Sequence, residues 1–213
     1  MLIVEKTKVY GAEEAVRGMR NSFNSWDKSD SKHQIDDGDG DYIDDYKIGP
    51  NDACLMSKLY DGGDSHAKYQ RFLIVTCDIT APLYWWKEMD TYKVGTVSNS
   101  CSTMHTIMER PFEMDMFAHD QMCEIGDVAL EDIIIVLNDI RHRWLECDDK
   151  ATKKQLWYTI IQLLPSSWLQ KRTMLMNYQV LSHISSDRRG HRLVEWAEFL
   201  KWVDDLPWSA DFI

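Results

Sequence analysis

Apolar residues recur with the 3.6-residue period of an amphipathic helix through most of the second half of the chain. The stretches 128–149, 151–164 and 191–206 each predict a long helix, and residues 168–184 (WLQKRTMLMNYQVLSHI), which follow Pro165, continue this helical half. The spacing assigns these residues to the packed faces of the second and third stretches: Leu156, Trp157, Ile160, Ile161 and Leu164, then Leu193, Trp196, Ala197, Leu200 and Val203. Core packing is the expected role of these faces.

The first half alternates short strand and helix patterns. Residues 1–10 predict a short strand, and 12–20 predict a helix with an apolar face at Ala12, Ala15, Val16 and Met19. A second helix enters at Pro50 and stops at Gly62–Gly63. The apolar run 72–75 predicts a strand that is buried on both faces or lies in a tight sheet, and Pro82 opens a third helix that extends to about Lys93. These patterns together predict an α+β fold, with a small mixed sheet from the first half and a helical second half.

Composition adds limits to this picture. The 213 residues are 44% apolar with nine tryptophans, which predicts a single domain over 1–213. The net charge of −11 argues against a general nucleic-acid binder, because such a protein needs a basic face. The five cysteines are widely spaced with no CxxC pair, which predicts reduced thiols and no metal site. No apolar run approaches the roughly 20 residues of a membrane span, and the first residues do not resemble a signal peptide, so we expect a soluble, cytoplasmic protein.

An acidic stretch near 28–46 invites a calcium interpretation that fails on spacing. Starting an EF-hand loop at Asp37 places Asp39 and Asp41 correctly, but Tyr42 then stands where glycine is needed and Ile48 where glutamate is needed. We therefore predict a solvated, mobile acidic loop.

The segment 84–105 (YWWKEMDTYKVGTVSNSCSTMH) concentrates polar and aromatic residues after Pro82. We expect its helix to end near Lys93, where a cation interacts favourably with the helix dipole, and a loop to follow. The loop offers hydroxyls and the Asn99 amide, which suit a phosphate or a nucleobase edge, although turn chemistry and an N-cap near Ser102 explain them as well. Cys101 has no base beside it in sequence, so nucleophilic catalysis is only weakly indicated. A further hypothesis makes Tyr84, Trp85 and Trp86 the buried anchors of an oligomer interface.

The order of these features resembles the centre of ThyX, the flavin-dependent thymidylate synthase family. In that family a His precedes a strand ending in a similar Ala-Pro pair, a helix then carries Arg-His-Arg, and a Ser follows. Here His66 precedes residues 68–79 (KYQRFLIVTCDI) and the Ala81–Pro82 pair. The positions of the family motif, counted without gaps from Pro82, fall on these residues: Arg-His-Arg on Thr91, Tyr92 and Lys93, the preceding acidic residue on Asn99, the Ser on Cys101 and the following Arg on Thr103.

The second half carries a similar likeness. The family has a helix with the residues RSLMNF, then an Arg and a His that lead into a final helix. Residues 172–178 (RTMLMNY), then Arg188 or Arg189, and His191 before LVEW look similar here. The resemblance spans most of the chain in layout.

The resemblance implies a homotetramer that binds FAD between subunits and converts dUMP to dTMP with methylenetetrahydrofolate and NADPH. It also implies roles for particular residues. The catalytic group would be Tyr92, Lys93 and Cys101. The substrate-binding group would be Thr91, Asn99, Ser100, Ser102, Thr103, Arg188 and Arg189. The cofactor-binding group would be His66, Arg172, Asn177 and His191.

The chain departs from the family at its cations, because two arginines and a histidine become Thr91, Tyr92 and Lys93. An Arg fork contacts a phosphate through two donors, whereas Lys supplies a point charge. The remaining cations that offer a substitute are Lys87, Arg172, Arg188 and Arg189. One hypothesis is therefore a divergent flavin-dependent enzyme acting on a pyrimidine nucleotide. The other is a catalytically altered or inactive homo-oligomer with the same fold, which binds a nucleotide or serves as an interaction module.

Overall fold

The computed structural model describes residues 1–33 and 46–212 of the chain, and side chains only as far as 210. These residues form two compact units. Unit 1 comprises Met1–Ile3, Thr80–Asp90 and Ser100–Arg172, and unit 2 comprises Val4–Ile79, Thr91–Asn99 and Thr173–Ile213. The single domain and the mobile acidic loop stay predictions, and residues 34–45 of that loop lie outside the described part.

Four strands form the main sheet, in the order β1 (Ile3–Tyr10), β4 (Ile74–Pro82), β6 (Leu169–Asn177) and β5 (Val97–Ser100). Strand β4 is an inner strand, and its residues alternate between fully and partly buried, because both faces are covered to different depths. A separate antiparallel pair joins β2 (Lys32–His33) to β3 (Tyr46–Lys47). The α+β class predicted from the sequence is confirmed.

Unit 2 contains the helices α1 (Ala12–Arg20), α2 (Pro50–Asp61), α7 (Tyr178–Arg188), α8 (Val194–Asp204) and the short α9 (Ser209–Phe212). Helices α1 and α2 have the predicted bounds, and the predicted face of α1 is buried. Gly11 precedes α1 with φ +86°, and a Cβ there would lie 2.0 Å from the carbonyl oxygen of Phe72. Only glycine fits this close approach in a left-handed conformation.

Unit 1 is built on α3 (Leu83–Met89), α4 (Thr103–Thr106) and a pair of long helices, α5 (Glu124–Glu146) and α6 (Lys150–Leu163). The side chains of Phe117, Leu137 and Ile160 are fully buried in its core. Asp149 caps α6 by accepting a hydrogen bond from the Thr152 backbone N–H at 2.8 Å. The predicted α6 face packs against this core, since Trp157 and Ile161 contact it.

Four local predictions were wrong. Residues 169–177 form strand β6 and not a helix, and 97–100 form strand β5 and not a loop. Sheet pairing with distant strands outweighs the helix propensity of residues such as Gln170 and Lys171. Helix α3 ends at Met89, so Lys93 lies beyond it and is no helix-end charge. On α8, Phe199 is buried where Ala197 was expected, because the buried face is rotated toward Glu195 and Phe199.

The strand predicted from the apolar run 72–75 also begins later than expected. Residues 68–71 form a 3-10 turn, β4 starts at Ile74, and the Phe72 side chain is 49% exposed. None of the helices in the described ranges has the length and apolar character that crossing a bilayer requires.

Candidate functional site

The turn that follows α3 positions Tyr92, the central side chain of the candidate site. In unit 2 the Thr96 hydroxyl donates a hydrogen bond to the Tyr92 carbonyl, which closes the turn. Gly95 has φ +81°, and a Cβ there would lie 2.8 Å from Asn177 Nδ2 and 2.9 Å from Val180 Cγ2. The absence of a side chain at Gly95 therefore lets the turn pack against the start of α7.

Tyr92 joins the C-terminal end of α7 and the side chain of Trp196 in a group that we call the Tyr92 cluster (Tyr92, Asp187, Arg188, His191 and Trp196). Arg188 Nε donates to the Tyr92 hydroxyl at 2.9 Å, and that hydroxyl donates to Asp187 Oδ2 at 3.2 Å. The Arg188 guanidinium carbon lies 5.5 Å from the Tyr92 ring centroid and 4.7 Å from the Trp196 ring centroid. Two aromatic faces thus hold one cation by cation–π attraction.

Burial and charge act in opposite directions on the Tyr92 phenol. Burial raises its pKa above the ordinary value, the hydrogen bond and charge of Arg188 lower it, and the net direction is upward. The phenol therefore stays protonated at neutral pH. It can accept a hydrogen bond from one group and donate to another.

Two further residues predicted to bind cofactor serve the local fold around this cluster. Asn177 Oδ1 accepts from the Val180 backbone N–H at 3.0 Å and so caps α7. His191 Nδ1 accepts from the Leu193 backbone N–H at 3.2 Å, and its ring centroid lies 6.3 Å from that of Trp196. The Nδ1 atom of His191 is therefore engaged by the backbone at the start of α8.

Unit 1 holds a second cation–aromatic group around Arg172. Its guanidinium carbon lies 4.1 Å from the Trp86 ring centroid, Nη1 donates to Asp90 Oδ1 at 2.7 Å, and Nε donates to Gln170 Oε1 at 2.9 Å. The amide of Gln170 donates in turn to the Cys101 carbonyl and to Thr103 Oγ1, at 3.2 and 3.4 Å. Arg172 is therefore the centre of a polar network that fastens residues 101–103.

Among the residues of the loop prediction, Ser102 is the N-cap of α4, as the capping interpretation predicted, although its side chain makes no capping hydrogen bond. Cys101 is exposed, and its backbone N–H donates to the Lys171 carbonyl at 2.9 Å. The buried thiol is Cys77, whose pKa burial raises to about 12. A thiol in that state is a poor nucleophile.

The structure brings together only part of the predicted site. Unit 2 gathers Tyr92, Arg188 and His191, while unit 1 gathers Cys101, Thr103 and Arg172. The rest lie on the surface or elsewhere: Thr91, Lys93, Asn99 and Ser100 are exposed, Arg189 pairs with Asp204 at 3.3 Å, and His66 lines a cavity near α1 and α2.

Sequence reasoning missed Asp90, Gln170 and Asp187 and assigned Trp196 to the core alone. Each of the three lies close in sequence to a predicted site residue: Asp90 precedes Thr91, Gln170 is two residues before Arg172, and Asp187 precedes Arg188. Longer-range pairs, such as Tyr92 with Asp187, form only through the fold. The interface hypothesis needs correction for two of its three anchors, because Trp85 and Trp86 are fully buried within unit 1 of a single chain, with ring centroids 4.9 Å apart, whereas Tyr84 is partly exposed. Side chains buried in this way cannot anchor another subunit.

Comparison with known proteins gives a clear result at the level of structure. No protein-family model matches the sequence, and no curated protein matches it. A solved flavin-dependent thymidylate synthase ThyX from Helicobacter pylori, complexed with FAD and dUMP, superimposes with a TM-score of 0.67 at 16% identity, covering 98% of this chain and 97% of that one. A second ThyX structure from the same organism, also with FAD and dUMP, gives a TM-score of 0.67 at 15% identity, covering 100% and 96%.

The chain has the ThyX fold. At this identity the likeness establishes the fold alone, since one fold carries many activities. The resemblance to ThyX that the order of the sequence features indicated is therefore confirmed for the fold.

The donor set that the resemblance assigns to FAD fits the flavin poorly. Asn177 caps α7, the Arg172 guanidinium is bound to Asp90 and Gln170, and His191 Nδ1 accepts a backbone hydrogen bond. His66 lies on the wall of the cavity near α1 and α2. Three of the four side chains already serve the fold of their own unit, and in the part of the chain that the structure describes the four form no common cluster within one unit.

Proposed function

We propose that this chain binds a pyrimidine nucleotide at the Tyr92 cluster, as a ThyX-like protein whose chemistry differs from thymidylate synthesis. One observation carries the proposal: the Arg188 guanidinium lies against both the Tyr92 and Trp196 rings and donates to the Tyr92 hydroxyl. An oriented cation beside a neutral phenol suits a ligand that combines negative charge with a flat, hydrogen-bonding ring.

The roles follow from the chemistry of each side chain. The Tyr92 hydroxyl, whose proton is donated to Asp187, accepts a hydrogen bond from an edge of the base through its second lone pair. The exposed Lys93 beside it supplies a point charge for the phosphate. Arg188 orients the phenol and contributes positive charge, and the exposed Thr91 and Asn99 offer polar contacts at the rim.

A second candidate keeps the full family reaction, in which flavin-dependent chemistry with NADPH and methylenetetrahydrofolate converts dUMP to dTMP. The extent of the structural match favours it, because the Helicobacter pylori structures complexed with FAD and dUMP align over nearly the whole chain. In this candidate the protein is a homotetramer, and several chains contribute to each FAD site. We derive no catalytic step through FAD, because the residues of this chain fit it poorly.

An absorbance spectrum separates the two candidates. The purified protein is incubated with FAD, desalted and scanned, and then assayed for dTMP formation. We expect a colourless protein without turnover. Retained flavin bands together with dTMP formation would establish the second candidate.

Isothermal titration with dUMP tests the first candidate, with Lys93→Ala as the variant and Lys201→Ala on α8 as the matched control. We expect Lys93→Ala to weaken dUMP binding by about tenfold or more, since a charge-assisted contact contributes about 1.5–3 kcal/mol. The control should bind like wild type, and all three proteins should elute alike from a sizing column. Equal affinity in both variants would remove Lys93 from the site.

A further inference from the structure

The hydrogen bonds of the Tyr92 hydroxyl fix what it can still offer to a ligand. Its oxygen accepts from Arg188 Nε at 2.9 Å, and its proton is donated to Asp187 Oδ2 at 3.2 Å. Burial raises the pKa of the phenol most, and the charge and hydrogen bond of Asp187 raise it further, so the proton stays on the phenol. The hydroxyl can therefore accept one more hydrogen bond, but it has no proton left to donate.

The Asp187 carboxylate is the second acceptor in the cluster. Its side chain is exposed, and its hydrogen bond from Tyr92 is the only one it makes with side chains or backbone in the part of the chain that the structure describes. An ionised carboxylate accepts hydrogen bonds through both oxygens and donates none. This edge of the cluster therefore presents acceptor oxygens and a negative charge to a ligand.

The pyrimidine bases differ at the ring position that such an edge distinguishes. Uracil and thymine carry a carbonyl oxygen at position 4, whereas cytosine carries an amino group with N–H donors there. The O2 carbonyl, the sugar and the phosphate are common to their nucleotides. Contacts of Arg188 or Lys93 with those shared groups consequently favour neither base over the other.

A carboxylate discriminates between these two groups by charge and by hydrogen bonding. Asp and Glu side chains accept a hydrogen bond from the amino group of cytosine when proteins read base edges. A carbonyl oxygen in the same place would have no donor to meet, and its partial negative charge would face the carboxylate. Such a mismatch lowers the affinity for the wrong ligand.

We propose that the Tyr92 cluster selects cytosine nucleotides over uracil nucleotides, and that Asp187 is the residue that recognises the amino group. The Tyr92 oxygen lies beside the carboxylate, and its lone pair accepts from the same edge of the base. This selectivity rests on the nucleotide binding proposed above, and it specifies the ligand as a cytosine nucleoside monophosphate.

Calorimetric titrations of dCMP and dUMP into wild type and Asp187→Asn test this selectivity. Wild type should bind dCMP at least about fivefold more tightly than dUMP, because a matched base contact contributes about 1–3 kcal/mol of discrimination. Asparagine keeps an oxygen that can accept from Tyr92, but it replaces the other acceptor with an NH₂ donor. The preference for dCMP should therefore disappear or reverse in Asp187→Asn.

Asp205→Asn is the matched control, because Asp205 is an exposed carboxylate at the end of α8 in the same unit. It undergoes the same change of charge and should keep the wild-type preference. Both substitutions are at exposed positions, so we expect the fold to survive, and circular dichroism verifies that.

A change in the ligand gives a second readout, which needs no substitution in the protein. The deoxynucleoside monophosphate of 2-pyrimidinone is dCMP without its amino group. Wild type should bind it at least about fivefold more weakly than dCMP. Asp187→Asn should bind the two ligands with similar affinity, because the contact that separates them is gone.

The possible failures are distinguishable. Equal or tighter binding of dUMP by wild type would overturn the selectivity and leave a pyrimidine nucleotide site standing. An unchanged preference in Asp187→Asn, or equal binding of dCMP and its analogue by wild type, would overturn the role of Asp187. No saturable binding of either dCMP or dUMP up to about 1 mM would overturn the nucleotide site itself, and the selectivity with it.

Discussion

Arg20 and Arg188 both lie in unit 2, and each donates through Nε to an oxygen of another side chain. Arg20 meets the Asp52 carboxylate at 2.6 Å and is 5% exposed. Arg188 meets the Tyr92 phenol at 2.9 Å and is only partly buried. The buried arginine donates to a charged carboxylate, whereas the partly buried arginine donates to a neutral phenol.

The difference separates a structural role from a binding role. A buried guanidinium needs a full counter-charge, because leaving either partner alone in the interior is strongly unfavourable. A partly exposed guanidinium retains solvent, and the Tyr92 hydroxyl and the Tyr92 and Trp196 rings help to orient it. We infer that the Arg20–Asp52 pair holds the fold together, whereas the Tyr92 cluster is available for a ligand.

The largest expected effect is on stability and comes from Asp52→Ala. Removing the carboxylate leaves Arg20 buried without its counter-charge, which should lower the free energy of unfolding by about 3–5 kcal/mol. Asp61→Ala, at the exposed end of the same helix, should change it by no more than about 0.5 kcal/mol. Urea denaturation measures both. Similar values for the two variants would contradict a structural role for the pair.

Acid should weaken the same pair in a defined direction. Burial alone would raise the pKa of Asp52, but hydrogen bonds from Ser29 and Ser31 and the Arg20 charge hold it below its ordinary value of 3.8. The folded state therefore binds this proton less readily than the unfolded state. The stabilisation is complete above the unfolded pKa and is lost as pH falls through the folded pKa.

Denaturation curves for wild type and Asp52→Asn, from about pH 6 down to about pH 3, test that direction. Wild type should lose more stability than Asp52→Asn over the acid part of this range, because only wild type has the carboxylate to protonate. Parallel losses in the two proteins would show that other groups control acid unfolding.

At the Tyr92 cluster the expected effect is on binding. Tyr92→Phe removes one hydroxyl, so dUMP affinity should fall by about threefold to tenfold, which corresponds to about 0.5–1.5 kcal/mol. Thermal unfolding should change little. Tyr10→Phe, at a 45%-exposed position on β1, is the control and should bind like wild type. A large loss of stability in Tyr92→Phe would place the phenol with Arg20 and Asp52 as a structural group.

The smallest effect is expected at the Arg172–Asp90 pair of unit 1. Asp90 is 52% exposed, and exposed pairs contribute about 0–1 kcal/mol. Asp90→Ala should therefore lower the free energy of unfolding by less than about 1 kcal/mol. Chemical denaturation, with Asp115→Ala as an exposed control, measures it. A loss as large as that of Asp52→Ala would show that Arg172 depends on its carboxylate as Arg20 does.

The sequence predicted well where the signal was local. Helix α1 was predicted from residue 12 to residue 20, because the apolar spacing that defines its buried face lies within its 9 residues. Strands β5 and β6 were missed, because the partners that make them strands are far away in sequence. The two arginines show the same limit. Arg20 and Asp52 are 32 positions apart, and Tyr92 and Arg188 are 96 apart, so no spacing rule joins them.

The resemblance to ThyX partly filled that gap for the site. It selected Tyr92, Arg188 and His191, which the fold does bring around Trp196, and it also selected His66, which lies elsewhere. A motif transferred from a family predicts which positions of the chain belong to the site. It does not predict which side chains those residues contact, because the contacts depend on residues at many other positions. Asp187 and Asp90 are partners of that kind.

Calorimetric titration of dUMP into wild type and Arg188→Lys tests the central claim most directly. Lysine keeps the positive charge but loses the planar fork that lies against Tyr92 and Trp196. We expect saturable binding by wild type and binding weakened by about tenfold in Arg188→Lys. No binding by wild type up to about 1 mM dUMP, or equal affinity in both proteins, would contradict the central claim.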